Sequence, residues 1–299
     1  MKCRLGPDGI HLFDRATGLN VLIDEVRVPE GQWSVAPRQV SIAVTNACDL
    51  TCAYCYAPKH RAHLDPKRLC EWIVELDDAG TLGIGFGGGE PTVYRHITDV
   101  CIYAAEHTGL AITMTTHGHK WNADLVSRLK DALNFVRISV DGTGATYERL
   151  RGRSFAELRV RLDLIAEGFP FGLNCVVNAE TVGQLTAVAD LAAEHGAAEL
   201  LLLPERPTAI GRGAPRDVLD QLETWVLSYS GSVPLTISED AAISMPTAVA
   251  LPNETGLRSY AHLDASGIVH ASSYSEAGQK VGEDGVLAAF GRLAMTEVA

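Results

Sequence analysis

The chain has 299 residues and a formal charge of −12, with 46% apolar and 21% charged residues; its pI is about 5.3. That is the composition of an ordinary globular protein, long enough for one large domain with an ample core. Net acidity argues against a nucleic-acid backbone or an anionic lipid surface as the main partner, because both need clustered Lys and Arg. No run approaches the roughly 18 unbroken apolar residues of a membrane span. The start, Met1-Lys-Cys-Arg-Leu-Gly-Pro7, lacks the apolar core of a signal peptide. The expected location is the reducing cytosol.

Residues 9–28 predict a β-hairpin. His11–Phe13 and Leu19–Asp24 are strand-like, and Asp14-Arg-Ala-Thr-Gly18 is the turn. Pro29-Glu-Gly31 and Pro37 punctuate, and Gln39–Val44 is the first core strand. A loop carrying Cys48, Cys52 and Cys55 follows directly. Pro66–Leu76 has helix-period apolar residues, with Asp65 as N-cap. Further strands are expected at Leu82–Phe86, Ala111–Thr115, Phe135–Val140, Gly172–Val177 and Glu199–Leu203. Helices are expected between them at Arg95–Glu106, Asn122–Ala132, Phe155–Glu167 and Val182–His195. This alternation means repeated βαβ units and a parallel sheet.

Right-handed crossovers and even alternation favour a curved, partial (β/α)6 barrel of the TIM type over a flat sheet. After about residue 214 the pattern weakens to a helix at Val218–Leu227 and a hairpin over Arg258–Ser272, its turn at Asp264-Ala-Ser-Gly267. The expected organisation is an N-terminal hairpin extension over 1–38, the α/β barrel over 39–214 and a small α+β appendage over 215–299. In parallel α/β folds the reactive loops follow the carboxyl ends of strands, which is where the cysteine loop falls.

Seven cysteines are present. Cys70 and Cys101 sit on apolar faces at helical spacing and read as core, while Cys3 and Cys175 are scattered. Cys48-x3-Cys52-x2-Cys55 is different, because three thiols within eight residues, flanked by polar and turn-prone neighbours, match iron–sulfur ligation. Three ligands leave one iron of a four-iron cluster open, and open metal positions belong to catalytic sites. A Cys3His zinc site completed by His60 is the rival, and would make the chain a non-catalytic regulator on a former enzyme scaffold. Gly83-x-Gly85-x-x-Gly88 also fits a dinucleotide fingerprint, but Pro91–Tyr94 separates these glycines from the next helix, against that reading.

Together, Cys48-x3-Cys52-x2-Cys55 and Gly88-Gly-Glu-Pro91 resemble the radical S-adenosylmethionine (radical SAM) superfamily over roughly residues 39–210. The resemblance implies one [4Fe-4S] cluster on Cys48, Cys52 and Cys55, whose open iron binds S-adenosyl-L-methionine. It implies that Tyr54 packs near the adenine, and that Gly88, Gly89 and Glu90 meet the SAM amino group. Thr116-His-Gly118 stands where the family often has Thr-Asn-Gly, so His117 departs from the pattern. Ser139-Val-Asp-Gly142 with Arg151-Gly152 resembles the family's Ser-x-Asp-Gly and Arg-Gly stretch. Ser139 and Arg151 would then bind ribose or the methionyl carboxylate, with Asn178 and Leu203 lining the nucleoside pocket.

Apart from the resemblance, Asp141 reads as a turn residue and Arg151 as a solvated surface charge, and for His117 and His119 an exposed loop position is the commoner reading. The implied chemistry is reductive cleavage of SAM, fed by a donor such as flavodoxin or ferredoxin, and hydrogen abstraction from a peptide or small natural product. Leu263-Asp-Ala-Ser-Gly-Ile-Val-His-Ala-Ser272 resembles the hairpin of an appended SPASM/twitch-type auxiliary-cluster domain with its cysteine lost. The 38 residues before the first core strand are too few for the family's usual peptide-leader domain.

Overall fold

The computed structural model describes residues 1–208, 212–238, Met245 and 251–297. It opens with an antiparallel sheet of β1 (Lys2–Gly6), β2 (Gly9–Asp14) and β3 (Leu19–Ile23), in that order. The predicted hairpin is the β2–β3 part, so the N-terminal extension has one more strand than expected. Lys2 and Arg4 interrupt the apolar pattern of β1 and hide it from a sequence reading. Arg4 is buried all the same, because its charge meets Glu254, 250 residues away.

The predicted strands then appear in sequence as β4 (Gln39–Thr45), β5 (Gly83–Gly88), β6 (Ala111–Thr116), β7 (Phe135–Ser139), β8 (Phe171–Val177) and β9 (Leu200–Pro204), all parallel. A further short strand, β10 (Leu235–Ile237), adds parallel to β9. The C-terminal hairpin supplies β11 (Tyr260–Leu263) and β12 (Ile268–His270), followed by β13 (Gln279–Lys280). β11 lies parallel against β4, so the order across the sheet is β10-β9-β8-β7-β6-β5-β4-β11-β12-β13.

The helices are α1 (Pro66–Asp78), α2 (Ile97–His107), α3 (Ala123–Leu129), α4 (Gly144–Arg151), α5 (Phe155–Ala166), α6 (Leu185–Glu194), α7 (Arg216–Ser228) and α8 (Gly285–Glu297). Asp65 caps α1 as expected, accepting the Lys67 and Arg68 N–H groups ahead of Pro66 at the first turn. Helices α4 and α8 were not legible, α4 being short and dominated by polar residues. Cys101 is buried on α2 and Cys70 packs against the core from α1, as predicted.

Val40, Ile42, Ile84, Phe86, Ile112, Met114, Val136, Ile138, Leu173, Leu200 and Leu202 form one buried core with the helices. Strand side chains alternate between faces. Ser41, Gly85, Thr113, Arg137, Ser139 and Asn174 therefore turn to the opposite face, in register as Ser41–Gly85–Thr113 and Ser139–Asn174. That face is concave. Arg206, just past β9, stacks over Tyr274, past β12, at 4.8 Å. Seven strand spacings separate β9 from β12 in the sheet order, roughly 30 Å if the sheet were flat. Only a strongly curled sheet brings the two together.

Candidate cluster and cofactor site

The cysteine loop leaves β4 and returns beside it. Asn46 N–H donates to the Ala62 carbonyl and Leu64 N–H to the Val44 carbonyl, each at 3.0 Å, closing the loop at its base. Within it Cys55 N–H donates to the Cys52 carbonyl at 3.2 Å, and Leu50 N–H donates to Cys48 Sγ at 3.4 Å. Burial pushes the Cys48 and Cys52 thiols up, with Arg151 opposing at Cys52.

A zinc ion holds its sulfur ligands at about 2.3 Å and hence ~3.8 Å from one another. Among the described residues, the group of His, Cys and carboxylate ligand atoms that converges within 4.8 Å is Cys48, Asp49 and His117. The three thiols do not converge with His60, which instead reaches Asn46 and Ser266. A spread set of three thiols suits a polyatomic cluster, in which each meets a different iron.

β5 ends on this loop. Gly89 N–H donates to the Thr45 carbonyl at 2.7 Å and Glu90 N–H to the Ala47 carbonyl at 2.8 Å. Gly88 has φ +113°, and a Cβ there would lie 2.4 Å from the Thr45 oxygen; at Gly89 it would lie 2.3 Å from the Ala47 oxygen. These glycines let two backbones touch. Gly87 is different, because a Cβ there meets nothing within 4 Å.

Glu90 is 1% exposed. Its Oε1 accepts from Thr116 Oγ1 at 2.7 Å and Thr92 Oγ1 at 2.6 Å, and its Oε2 from His117 N–H at 2.9 Å. The Thr116 hydroxyl also accepts from Gly118 N–H and Trp121 Nε1. The Glu90 and Thr116 side chains are therefore engaged in joining β5 to β6.

Asp141 is the node of the opposite side, which its reading as a turn residue missed. It is fully buried after β7. Its Oδ1 accepts Val176 N–H at 2.7 Å, and its Oδ2 accepts both the Tyr54 hydroxyl and Arg151 Nη2. Arg151 Nη1 points at Cys52 Sγ, 3.7 Å away, and its guanidinium lies over the Tyr54 ring at 5.8 Å. Arg151 is no surface charge. Burial works against its ionised form, but Asp141, Tyr54 and Cys52 outweigh burial and hold its pKa above the usual arginine value. Burial, then the Asp141 charge, drives the Tyr54 phenol upward, so it stays neutral. The Arg151 Nε is buried with no hydrogen-bond partner, as is Asn174 Oδ1 on the concave face.

The histidines also correct the expectation. His117 is 4% exposed rather than a solvated loop residue. Its Nε2 lies 2.8 Å from Asp49 Oδ1. Burial opposes the Asp49 charge, yet the hydrogen bond and charge of His117, with Lys120, hold its carboxyl below the usual range. His119 Nε2 pairs with the Tyr147 hydroxyl at 2.8 Å, and burial lowers its pKa to about 4.

Ser139 ends β7 and Leu203 lies near the end of β9, beside Asp141 and the β8 terminus. Asn178, 7% exposed, is already engaged: its Oδ1 accepts the Glu180 and Thr181 N–H groups and its Nδ2 donates to Glu205. The fold thus gathers the predicted residues at the carboxyl ends of β4 to β9. Asp49 and Gly87 join them without having been singled out, and Asp141 joins them though it reads as a turn residue. Asp141 was visible in the Ser-x-Asp-Gly stretch, whereas Asp49 carried no signal of its own.

Spread thiols, a cradle open at Gly87 and a buried guanidinium with an unused N–H fit a metal cluster beside a ligand bearing a carboxylate. A family model described as the radical SAM superfamily matches residues 42–192. Mycofactocin maturase MftC of Mycobacterium ulcerans is 33% identical over 198 residues, 62% of this chain and 51% of that protein. Fe-coproporphyrin III synthase of Methanosarcina barkeri is 30% identical over 160 residues, 51% of this chain and 40% of that protein. The chain thus spans about half the length of the curated relatives it matches. The solved structure of Streptococcus suis SuiB bound to precursor peptide SuiA shares the fold, with a TM-score of 0.76 over 97% of this chain and 86% of that one at 14% identity. The chain therefore belongs to the radical SAM superfamily, whose cofactors are a [4Fe-4S] cluster and S-adenosylmethionine.

Proposed function

We propose that the protein is a radical SAM enzyme that modifies a peptide. Cys48, Cys52 and Cys55 would hold the [4Fe-4S] cluster, and SAM would lie between the Gly87–Glu90 turn and the Ser139, Arg151, Asn178 and Leu203 side. Bound there, cluster and SAM supply one-electron cleavage of the sulfonium and a primary carbon radical able to take hydrogen from an unreactive C–H bond.

The chain's own residues do the rest. Asp141 fixes Arg151 and Tyr54 against Cys52, so a charged donor and an aromatic ring lie at the loop before any ligand binds. That preorganisation spares the ordering of long side chains on binding. Arg151 Nε would meet a carboxylate, Tyr54 would help cover the loop from water, and the concave face below would accept substrate. No protein base is required for hydrogen abstraction.

The observation that carries this reading is Arg151 joining Asp141 to Cys52. The peptide is favoured by the relatives: mycofactocin maturase MftC, Bacillus subtilis sporulation killing factor maturation protein SkfB, and SuiB seen with its precursor peptide. An external one-electron donor such as flavodoxin or ferredoxin would complete the cycle. Purified without oxygen, the protein should be brown, with a broad absorbance near about 400 nm that reductant bleaches. With SAM and dithionite it should release 5′-deoxyadenosine, and Cys52→Ala should release none. A colourless zinc protein, or unimpaired turnover by Cys52→Ala, overturns the reading.

A further inference from the structure

Asp49 lies between Cys48 and Leu50, yet its carboxylate is held from outside the loop. Oδ1 is 2.8 Å from His117 Nε2; Oδ2 is 2.8 Å from Arg153 Nη2 and 3.4 Å from Lys120 Nζ. His117 sits just past β6, and its tautomer follows from its neighbours. His119 N–H donates to Nδ1 at 3.1 Å. Nδ1 is thus an acceptor, and the ring N–H is on Nε2, directed at Asp49 with Glu90 Oε2 3.4 Å away. The His117 backbone N–H donates to Glu90 Oε2 at 2.9 Å. One buried residue therefore joins the carboxylate of the Gly-Gly-Glu turn to the carboxylate beside the first cysteine. Cys48 Sγ, an Asp49 oxygen and a His117 ring nitrogen lie within 4.8 Å of one another.

We infer that Asp49 and His117 are a positioning pair that sets the charge felt at Cys48, and through it the reduction potential of the cluster. This rests on the assignment of Cys48 as a cluster ligand. A fixed negative charge that close to a ligating thiolate disfavours the incoming electron. The His117 Nε2–H, with Arg153 and Lys120, offsets that charge and fixes where the carboxylate points, as partners of metal ligands do elsewhere. The two members act with opposite signs. Asp49 lowers the potential, and His117 raises it by donating to Asp49.

The test is an EPR-monitored redox titration of the anaerobically reconstituted full chain, on preparations with equal iron and sulfide content. Asp49→Asn should favour reduction and His117→Leu should disfavour it, each by up to about tenfold in the equilibrium constant, or ~59 mV for one electron. His117→Gln, which keeps an N–H donor, should return toward the parent value. A packing role alone would move both variants the same way. Shifts of the same sign, or an Asp49→Asn potential equal to the parent's, overturn the inference. Should His117→Leu lose its cluster, the Asp49→Asn and His117→Gln pair decides by the same signs. SAM added to each variant should still change the EPR signal. A parent chain that holds no cluster would instead break the cysteine assignment, a failure the titration separates from this one.

Discussion

Arg4 and Arg151 are both buried arginines set against a carboxylate, at opposite ends of the same sheet, and they do different work. Arg4 packs beneath the amino end, where its Nε meets Glu254 and its remaining N–H groups reach the carbonyls of Ala36, Gly80 and Arg258 at 2.8–3.0 Å. Arg38 closes on the other Glu254 oxygen. Arg151, at the carboxyl end, meets Asp141 and points at a thiol, but its Nε finds no partner. A completed hydrogen-bond set ties three distant segments together and leaves nothing for a ligand. An incomplete one beside the cysteine loop keeps a donor that, on the proposed reading, meets the SAM carboxylate. Burial lowers the Arg4 pKa with Glu254 in opposition, whereas at Arg151 the surrounding acids and phenols win.

Removing the complete arginine should cost the most. Arg4→Leu leaves Glu254 Oε1 and the Ala36, Gly80 and Arg258 carbonyls without a donor, with only Arg38 still on Glu254, and should lower stability by about 3–5 kcal/mol in urea denaturation. SAM affinity of the folded fraction, by titration calorimetry, should stay within about twofold. Equal loss of affinity would erase the distinction between the two ends.

Gly89→Ala comes next. Its Cβ would enter the Ala47 carbonyl, so the cysteine loop must move, with a loss of about 1–3 kcal/mol and reduced iron content on reconstitution. Arg151→Lys keeps the charge against Asp141 but loses the planar fork. It should bind SAM about tenfold more weakly, ~1.4 kcal/mol, with little change in the denaturation midpoint.

Gly87→Ala sharpens the comparison at small scale. The added methyl meets no protein atom, so stability should change by less than about 0.5 kcal/mol, while SAM binding weakens several-fold because the cradle is filled. A variant that binds SAM normally would remove Gly87 from the site.

The last effect is one of pH. His262 is buried on the concave face beside Ser41, and burial lowers its pKa to about 4. The unfolded chain takes up that proton first, near pH 6.5, so stability is full above about 6.5 and falls as pH drops toward 4. The urea midpoint should decline between pH 6.5 and 5, and His262→Gln should flatten that slope.

Much of this was legible in the chain. Gln39–Val44, Leu82–Phe86 and Ala111–Thr115 sit within a residue or two of β4, β5 and β6 because their apolar alternation is strong and glycine or proline bounds them. β1 was not, because Lys2 and Arg4 look solvated until Asp77 and Glu254 arrive. β10 is too short to carry a pattern. The cysteine run and Gly-Gly-Glu-Pro stretch announced themselves by spacing. His117 did not, because whether a loop histidine is wet or buried depends on what packs over it, here Asp49 and the Glu90 turn.

The local sequence determined the order of strands and helices, the position of the thiols just after the first core strand, and the glycines at the end of the second, since each follows from periodicity, turn chemistry or ligand spacing within a few residues. Only the tertiary structure decided which charges are fully paired inside the protein and which keep an N–H unused. That choice depends on carboxylates brought from far along the chain: Glu254 completes Arg4, while Asp141 holds Arg151 and leaves one of its N–H groups unused.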